Sequence, residues 1–195
     1  IISAQPGHHG QAYFVYDSKK SGAQTVSHLR FGPEPINAPY LVQSANFIGC
    51  HQFEFVYTTH LLERAAEGAT LLLNCPWPAD EAWDRLPRPL QKAIVDKNVR
   101  LYAIDAYRVA RETGMGRRIN TIMQACFFAI TEVMNTDEAI AAIKRSIEIG
   151  SFCLPTLNVV PHTGISRRQS KKENVLLSGS ESNPLSKELV AAKIV

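Results

Sequence analysis

The chain has 195 residues, 45% of them hydrophobic, with 21 Lys and Arg against 18 Asp and Glu for a formal charge of +3. That length supports one domain with a sizeable core and an appendage, and so mild a charge imbalance gives no argument for nucleic-acid binding. No run approaches the roughly 18 apolar residues of a membrane helix, and Ile1 to Pro6 has neither a basic region nor a long apolar stretch, so neither a membrane span nor a secretory leader is expected.

The chain opens at Ile1 without an initiating Met, which reads as a fragment or processed piece. His8-His9 reads as a polar turn, because no third ligand accompanies it. Ala12 to Tyr16 is an apolar run suited to the inside of a sheet, and it runs straight into Asp17-Ser18-Lys19-Lys20-Ser21-Gly22. That stretch has two readings. It is either a solvated turn, or a loop at the carboxyl end of a strand where ligands of open parallel sheets bind. On the second reading the two lysines offer point charges to phosphate. Ser18 and Ser21 offer hydroxyl donors, and Gly22 lets the backbone come close.

Thr25 to Phe31 alternates apolar and polar residues as a strand, stopped by Gly32-Pro33. Asn46 to His51 is another short strand. Glu54 to Ala66 carries Phe55, Leu61, Leu62 and Ala65 at helical spacing and predicts a helix ended by Gly68. Thr70 to Asn74 is apolar on both faces, as a doubly covered strand should be. Asp80 to Trp83 and Leu90 to Asp96 predict helical stretches interrupted by Pro87-Arg88-Pro89, and Val99 to Asp105 predicts a strand. Tyr107 to Glu112 predicts a short helix ended near Gly114. Asn120 to Met134 predicts a long one whose packed stripe holds Ile122, Cys126 and Ile130. Asn135-Thr136-Asp137-Glu138 supplies cap residues for a last helix through about Ile149.

This alternation of strands and helices predicts an α/β fold, an open, mostly parallel sheet flanked by helices. Residues 150–195 change character, being rich in Ser, Asn and Lys, and are expected to be a low-order tail except for the apolar run Leu185 to Val195.

A second cationic cluster lies at Gly114-Met115-Gly116-Arg117-Arg118-Ile119-Asn120. It places two arginines and the Asn120 amide at a helix N-terminus, a favourable anion position, or else it is a Gly-terminated helix followed by an Asn cap. Cys50, Cys75, Cys126 and Cys153 are scattered, which predicts reduced packing thiols and no metal or cluster site. Cys50 and His51 are adjacent on a strand, so their side chains point to opposite faces and cannot share a proton easily. Nucleotide-binding Gly motifs, a nucleophile elbow, a zinc-protease motif and a Gly-Asp-Gly diphosphate motif are all absent, so no catalytic residue is assigned.

Asp17 to Gly22 followed by T-V-S-H-L-R-F-G-P (Thr25 to Pro33) closely resembles the gamma domain of pyruvate:ferredoxin oxidoreductases. The same holds for Cys50-His51-Gln52, Leu73-Asn74-Cys75-Pro76 and E-T-G-M-G-R-R-I-N-T-I-M-Q (Glu112 to Gln124). The resemblance covers residues 10–149 and implies a Rossmann-like domain lacking the family's first strand-helix unit, a central part of the sheet. It implies a component of an enzyme that decarboxylates pyruvate oxidatively on thiamine diphosphate with magnesium. Electrons pass through iron-sulfur clusters to ferredoxin or flavodoxin, and the acetyl group passes to coenzyme A.

The gamma domain's share is coenzyme A, so Ser18, Lys19, Lys20, Ser21, Gly22 and Asn120 become the expected phosphate contacts. Thiamine diphosphate, magnesium and the clusters fall to other domains or subunits of the same oxidoreductase. The location implied is cytoplasmic, or a hydrogenosome-like or mitochondrion-like organelle in a eukaryote. A non-catalytic scaffold or docking fragment of a 2-oxoacid or pyruvate:NADP oxidoreductase is the alternative.

Overall fold

The structure is a computed structural model that describes residues 1–16, 25–148 and 189–194. After a 3-10 turn at Ile2–Ala4, the described residues form the strands β1 (His9–Tyr16), β2 (Thr25–Gly32), β3 (Ala45–Cys50), β4 (Ala65–Asn74), β5 (Arg100–Ile104) and β6 (Leu189–Ile194). The helices are α1 (Phe55–Thr58), α2 (Ala79–Arg85), α3 (Arg88–Asp96), α4 (Ala106–Glu112), α5 (Ile119–Thr131) and α6 (Thr136–Glu148).

All the strands join one open sheet in the order β1-β2-β6-β3-β4-β5. β1 and β2 form an antiparallel hairpin with Tyr16 opposite Thr25. β6 is antiparallel to β2, with Val26 opposite Ile194, and parallel to β3, with Cys50 opposite the same Ile194. β3, β4 and β5 continue in parallel. This is the expected open α/β sheet. The interior position between β2 and β3 is taken by β6, a strand from the far end of the chain.

Alternation along β3 and β4 divides the core between two layers. Ile48, Cys50, Leu71 and Leu73 pack with Val56 of α1, Ala82 of α2, and Leu90 and Ile94 of α3. Phe47 and Leu72 pack on the other face with Ala106 and Ala110 of α4 and Ile119, Ile122 and Met123 of α5. Leu71 and Leu73 are fully buried, and each contributes about 2 kcal/mol by leaving water. Farther along α5, Ala125 and Phe128 meet Ile2 and α6 through Ala139 and Ile143. α6 begins as its cap residues predict, with Asn135 Oδ1 accepting from the amides of Asp137 (2.9 Å) and Glu138 (3.4 Å).

Two expectations fail. Ala12 to Tyr16 is not inside the sheet. β1 is the edge strand among the described residues, where no further strand covers it, and Phe14 and Tyr16 are 55% and 68% exposed. Nor does a helix run from Glu54 to Ala66, since α1 is a single turn. The Thr58 and Thr59 hydroxyls donate back to the carbonyls of Glu54 (3.4 Å) and Phe55 (2.7 Å), and Thr59 turns extended. Downstream, Lys97 Nζ donates to the carbonyls of Leu62, Glu63 and Ala65 at 2.7, 3.2 and 3.0 Å, supplying the donors that helical amides would otherwise have been. Gly68 is therefore no helix stop. It lies inside β4 at φ +70, a conformation glycine takes without steric cost, and its amide donates to Lys97 O (2.8 Å). Residues 149–188 and 195 are outside the described residues, so the expectation of a low-order tail applies mainly to positions on which the structure says nothing.

Candidate functional site

Strand direction fixes which edge of the sheet can hold a ligand. β1, β3, β4, β5 and β6 all run one way and β2 alone runs the other, so Tyr16, Cys50, Asn74 and Ile104 end on one edge and Thr25 begins there. Asn74, 4% exposed, ties that edge together. Its Nδ2 donates to His51 O (2.9 Å) just past β3, and its Oδ1 accepts from Ala106 N (3.0 Å) at the start of α4. Asp105 caps α4 by accepting from Arg108 N (2.9 Å).

α4 ends in a left-handed turn at Gly114 (φ +73), with Gly114 N donating to Arg111 O (3.2 Å) and Met115 N to Ala110 O (2.7 Å). Gly116 (φ +64) turns the chain again, and α5 starts after Arg118 with no side-chain cap. Asn120 is accordingly not the N-cap that one reading of the sequence offered. It lies one residue inside the helix.

Asn120 instead lines a cavity of about 320 Å³ between the sheet and α5. The floor is Leu29 and Phe31 of β2, Phe47 and Gly49 of β3, and Leu72 of β4, and one wall is the N-terminal segment Ile1 to Ser3. Gln124, one turn after Asn120, and Phe127 continue the α5 wall, and His51 closes the sheet side. The rings of Phe47 and Phe127 meet edge to face with centroids 5.0 Å apart. The result is an apolar slot with amides on α5 and an imidazole on the sheet, fit for a ligand with an apolar body and polar atoms at one end.

Of the residues singled out from sequence, Asn120 is the one placed at this cavity. Ser18, Lys19, Lys20, Ser21 and Gly22 lie outside the described residues, although β1 ends at Tyr16 and β2 begins at Thr25 on the carboxyl edge of the sheet. Arg117 is exposed. Gln124 and His51 were not assigned to a site. The i,i+4 spacing of Asn120 and Gln124 within the quoted stretch was the available signal for Gln124. The Cys50 side chain belongs to the layer opposite His51, as adjacent strand positions require. Burial pushes the Cys50 thiol up to about 12 and Cys126 to about 11, which keeps both protonated and unreactive at neutral pH. Among the described residues no three His, Cys, Asp or Glu side chains are grouped to hold a metal, and no helix is long and apolar enough to cross a membrane.

Comparison with known proteins gives a consistent picture. The family described as "Pyruvate ferredoxin/flavodoxin oxidoreductase" matches residues 2–150. A pyruvate-flavodoxin oxidoreductase of Rhodospirillum rubrum is 63% identical over 147 residues, which are 75% of this chain and 12% of that protein. A pyruvate:ferredoxin oxidoreductase of Moorella thermoacetica is 48% identical over 147 residues, again 75% of this chain and 13% of the other. The chain thus spans about one eighth of the length of these curated relatives. Among solved structures, the pyruvate oxidoreductase subunit PORC of Thermotoga maritima shares the fold. Its TM-score is 0.55 at 18% identity, covering 78% of this chain and 74% of that one.

Proposed function

The chain belongs to the pyruvate ferredoxin/flavodoxin oxidoreductase family, and from that membership we propose that it is the gamma region of such an enzyme and binds coenzyme A for acetyl transfer. The observation that carries this reading is shared location. The ends of β1 and β2 that bracket Ser18 to Gly22 lie on the carboxyl edge of the sheet. That edge also carries Cys50, Asn74 and Ile104, the strand ends that lead to the His51 and Asn120 cavity.

The residues present fit a diphosphate ligand. Lys19 and Lys20 bring two positive charges and Ser18 and Ser21 two hydroxyl donors, while Gly22 has no side chain to block backbone amides. Asn120 adds an exposed amide donor at the start of a helix whose first-turn amides no side chain caps. The apolar cavity below offers its walls to the rest of the molecule and excludes water from them. Thiamine diphosphate with magnesium and the iron-sulfur clusters belong on this reading to the other domains, where they supply decarboxylation and electron transfer to ferredoxin or flavodoxin. The same reading puts the enzyme in the cytoplasm.

The test uses the complete enzyme. Replacing Lys19 and Lys20 together by Ala removes two charge-assisted phosphate contacts worth on the order of 2 kcal/mol, which raises the apparent KM for coenzyme A about thirty-fold. The KM for pyruvate stays as it was. An unchanged KM for coenzyme A refutes the assignment.

One observation favours the alternative of a docking fragment. The edge strand β1 exposes Phe14, Val15 and Tyr16, with the Phe14 and Tyr16 rings stacked at 6.3 Å. An apolar strand edge of this kind invites pairing with another chain. A monomer by light scattering up to high concentration removes that reading, while a dimer that Phe14→Ser abolishes supports it.

A further inference from the structure

β2 presents a second set of side chains to the sheet face opposite the cavity. Val26, His28 and Arg30 alternate with Leu29 and Phe31, so the same strand that floors the apolar slot turns an imidazole and a guanidinium toward the α1 to α3 layer. Both are deeply buried, His28 at 3% exposure and Arg30 at 4%. Arg30 stacks on the ring of Tyr40 at 4.9 Å, but its Nη1 has no hydrogen-bond partner among the described residues, nor has Nδ1 of His28. Gln11, directly opposite Arg30 across the hairpin, has a buried Oε1 in the same state.

Arg64 adds a further positive charge, half-committed by donation from Nη1 to Val42 O (3.0 Å). No described acid forms an ion pair with Arg30 or Arg64. Glu34, in the loop after β2, is exposed. A buried guanidinium without an opposite charge costs several kcal/mol, and three orphaned polar atoms on one face add to that. Burial first, and then the charges of Arg64 and Arg30, hold His28 below its ordinary value of 6.5, so the imidazole itself gives way to the excess positive charge.

We propose that Arg30, with Arg64 and His28, forms an anion site separate from the Lys19 and Lys20 loop, and that it takes one compact oxyanion, a phosphate or a carboxylate group. Two oxygens of such a group match the planar fork of Arg30, and its charge offsets the cluster. The imidazole of His28 can then turn a donor to a third oxygen or to the guest's near side. The Gln11 amide can present its NH2 or its oxygen, according to whether the guest carries an acceptor or a hydroxyl. This site does not depend on the coenzyme A reading.

The test follows His28 and Arg30 in the full 195-residue chain by NMR. Side-chain signals are recorded against pH in chloride, inorganic phosphate and acetate at matched ionic strength. Arg30 and Arg64 are followed with His28, Tyr13 opposite His28 and Tyr40 beneath Arg30 report on the same surroundings, and the exposed Glu34 serves as the reference. In phosphate, in acetate or in both, the His28 midpoint moves upward and the Arg30 Nε–H resonance shifts saturably. A response to phosphate alone marks a free phosphorylated guest, and a response to acetate marks a carboxylate such as an acidic side chain of a neighbouring domain.

Arg30→Gln weakens the apparent Kd about tenfold or more, as loss of a charged hydrogen bond should. Lys19→Ala with Lys20→Ala leaves it unchanged. Should neither anion move His28 beyond chloride, the orphaned atoms are satisfied by water and the proposal falls. It falls equally if the lysine variant abolishes the response. Because the wild-type titration alone can refute it, the result does not hinge on Arg30→Gln folding.

Discussion

Asn74 holds the carboxyl edge of the sheet by two hydrogen bonds, and the two can be removed separately. Asn74→Ala strips the donor from His51 O and the acceptor from Ala106 N, and Ala106 is fully buried, so water does not replace the lost partner. Each orphaned backbone group costs about 1–3 kcal/mol, giving a loss of about 2–6 kcal/mol for the pair. In urea, with a slope of about 2 kcal/mol per molar for a domain of this size, the midpoint falls by about 1–3 M.

Asn74→Asp keeps an oxygen for Ala106 N but sets a second oxygen against His51 O. Burial and that carbonyl both disfavour the carboxylate, so the folded-state pKa of the new Asp rises above its unfolded value. The folded protein then holds the extra proton. The stabilising bond from the protonated oxygen is present at low pH and is lost as pH rises through the folded pKa. Asn74→Asp should therefore come close to wild type near pH 4 and lose stability toward pH 7, whereas the deficit of Asn74→Ala stays flat. A loss below about 1 kcal/mol for Asn74→Ala, or parallel pH profiles for the two variants, refutes the clamp.

Lys97→Met, which removes three donated bonds to Leu62, Glu63 and Ala65, should cost about 1–2 kcal/mol by urea unfolding, while Lys97→Arg recovers part of it; no loss would mean that solvent caps those carbonyls. Gly68→Ala should cost about 1 kcal/mol although nothing lies within 4 Å of the added methyl group, because φ +70 is strained for alanine; a gain in stability would show that the turn relaxes. Cys50 and Cys126 are raised in the folded state to about 12 and about 11 from an ordinary 9.0. Above pH 9 the unfolded chain therefore loses thiol protons that the folded chain keeps, and stability falls by up to about 1.4 kcal/mol per pH unit per thiol until the folded values are reached. Cys50→Ser with Cys126→Ser should flatten that alkaline slope, and an unchanged slope assigns it elsewhere.

The strand and helix alternation was readable because each element repeats a local rule. Leu71 to Leu73 is apolar at every position, Pro87 and Pro89 sit at the start of α3, and Asn135 caps α6. Where the reading failed, a partner distant in sequence decided the outcome. The carbonyls of Leu62, Glu63 and Ala65 go to Lys97, more than thirty residues away, and no helical periodicity in Glu54 to Ala66 reports that. Ala12 to Tyr16 has the composition of an interior strand, yet position in the sheet belongs to topology, and topology puts it at the edge. β6 is the extreme case. Leu189 to Ile194 is a short apolar run like any other, and only its two neighbours make it an interior strand. The site was legible in part for the same reason. Asn120 could be placed at a helix start from Gly114 and Gly116, but the aromatic walls of its cavity come from β2, β3 and α5 at once.

The alternation of Thr25 to Phe31 shows how a correct pattern can still mislead. Apolar and polar residues taking turns along a strand usually mean one face in the core and the other in water. In β2 the polar face is as buried as the apolar one, since His28 and Arg30 are at 3% and 4% exposure. Ser27 shares the cavity-side face with Leu29 and Phe31, while His28 and Arg30 face the layer that holds Val42 and Ile48. A strand that only needed a second buried face would be stable with Val or Leu at positions 28 and 30, avoiding the cost of burying charge. Polar residues kept where apolar ones would stabilise more are the mark of a site or a specific partner rather than of folding. On that ground the buried guanidinium and imidazole of β2 argue for a bound partner of this domain rather than for folding alone.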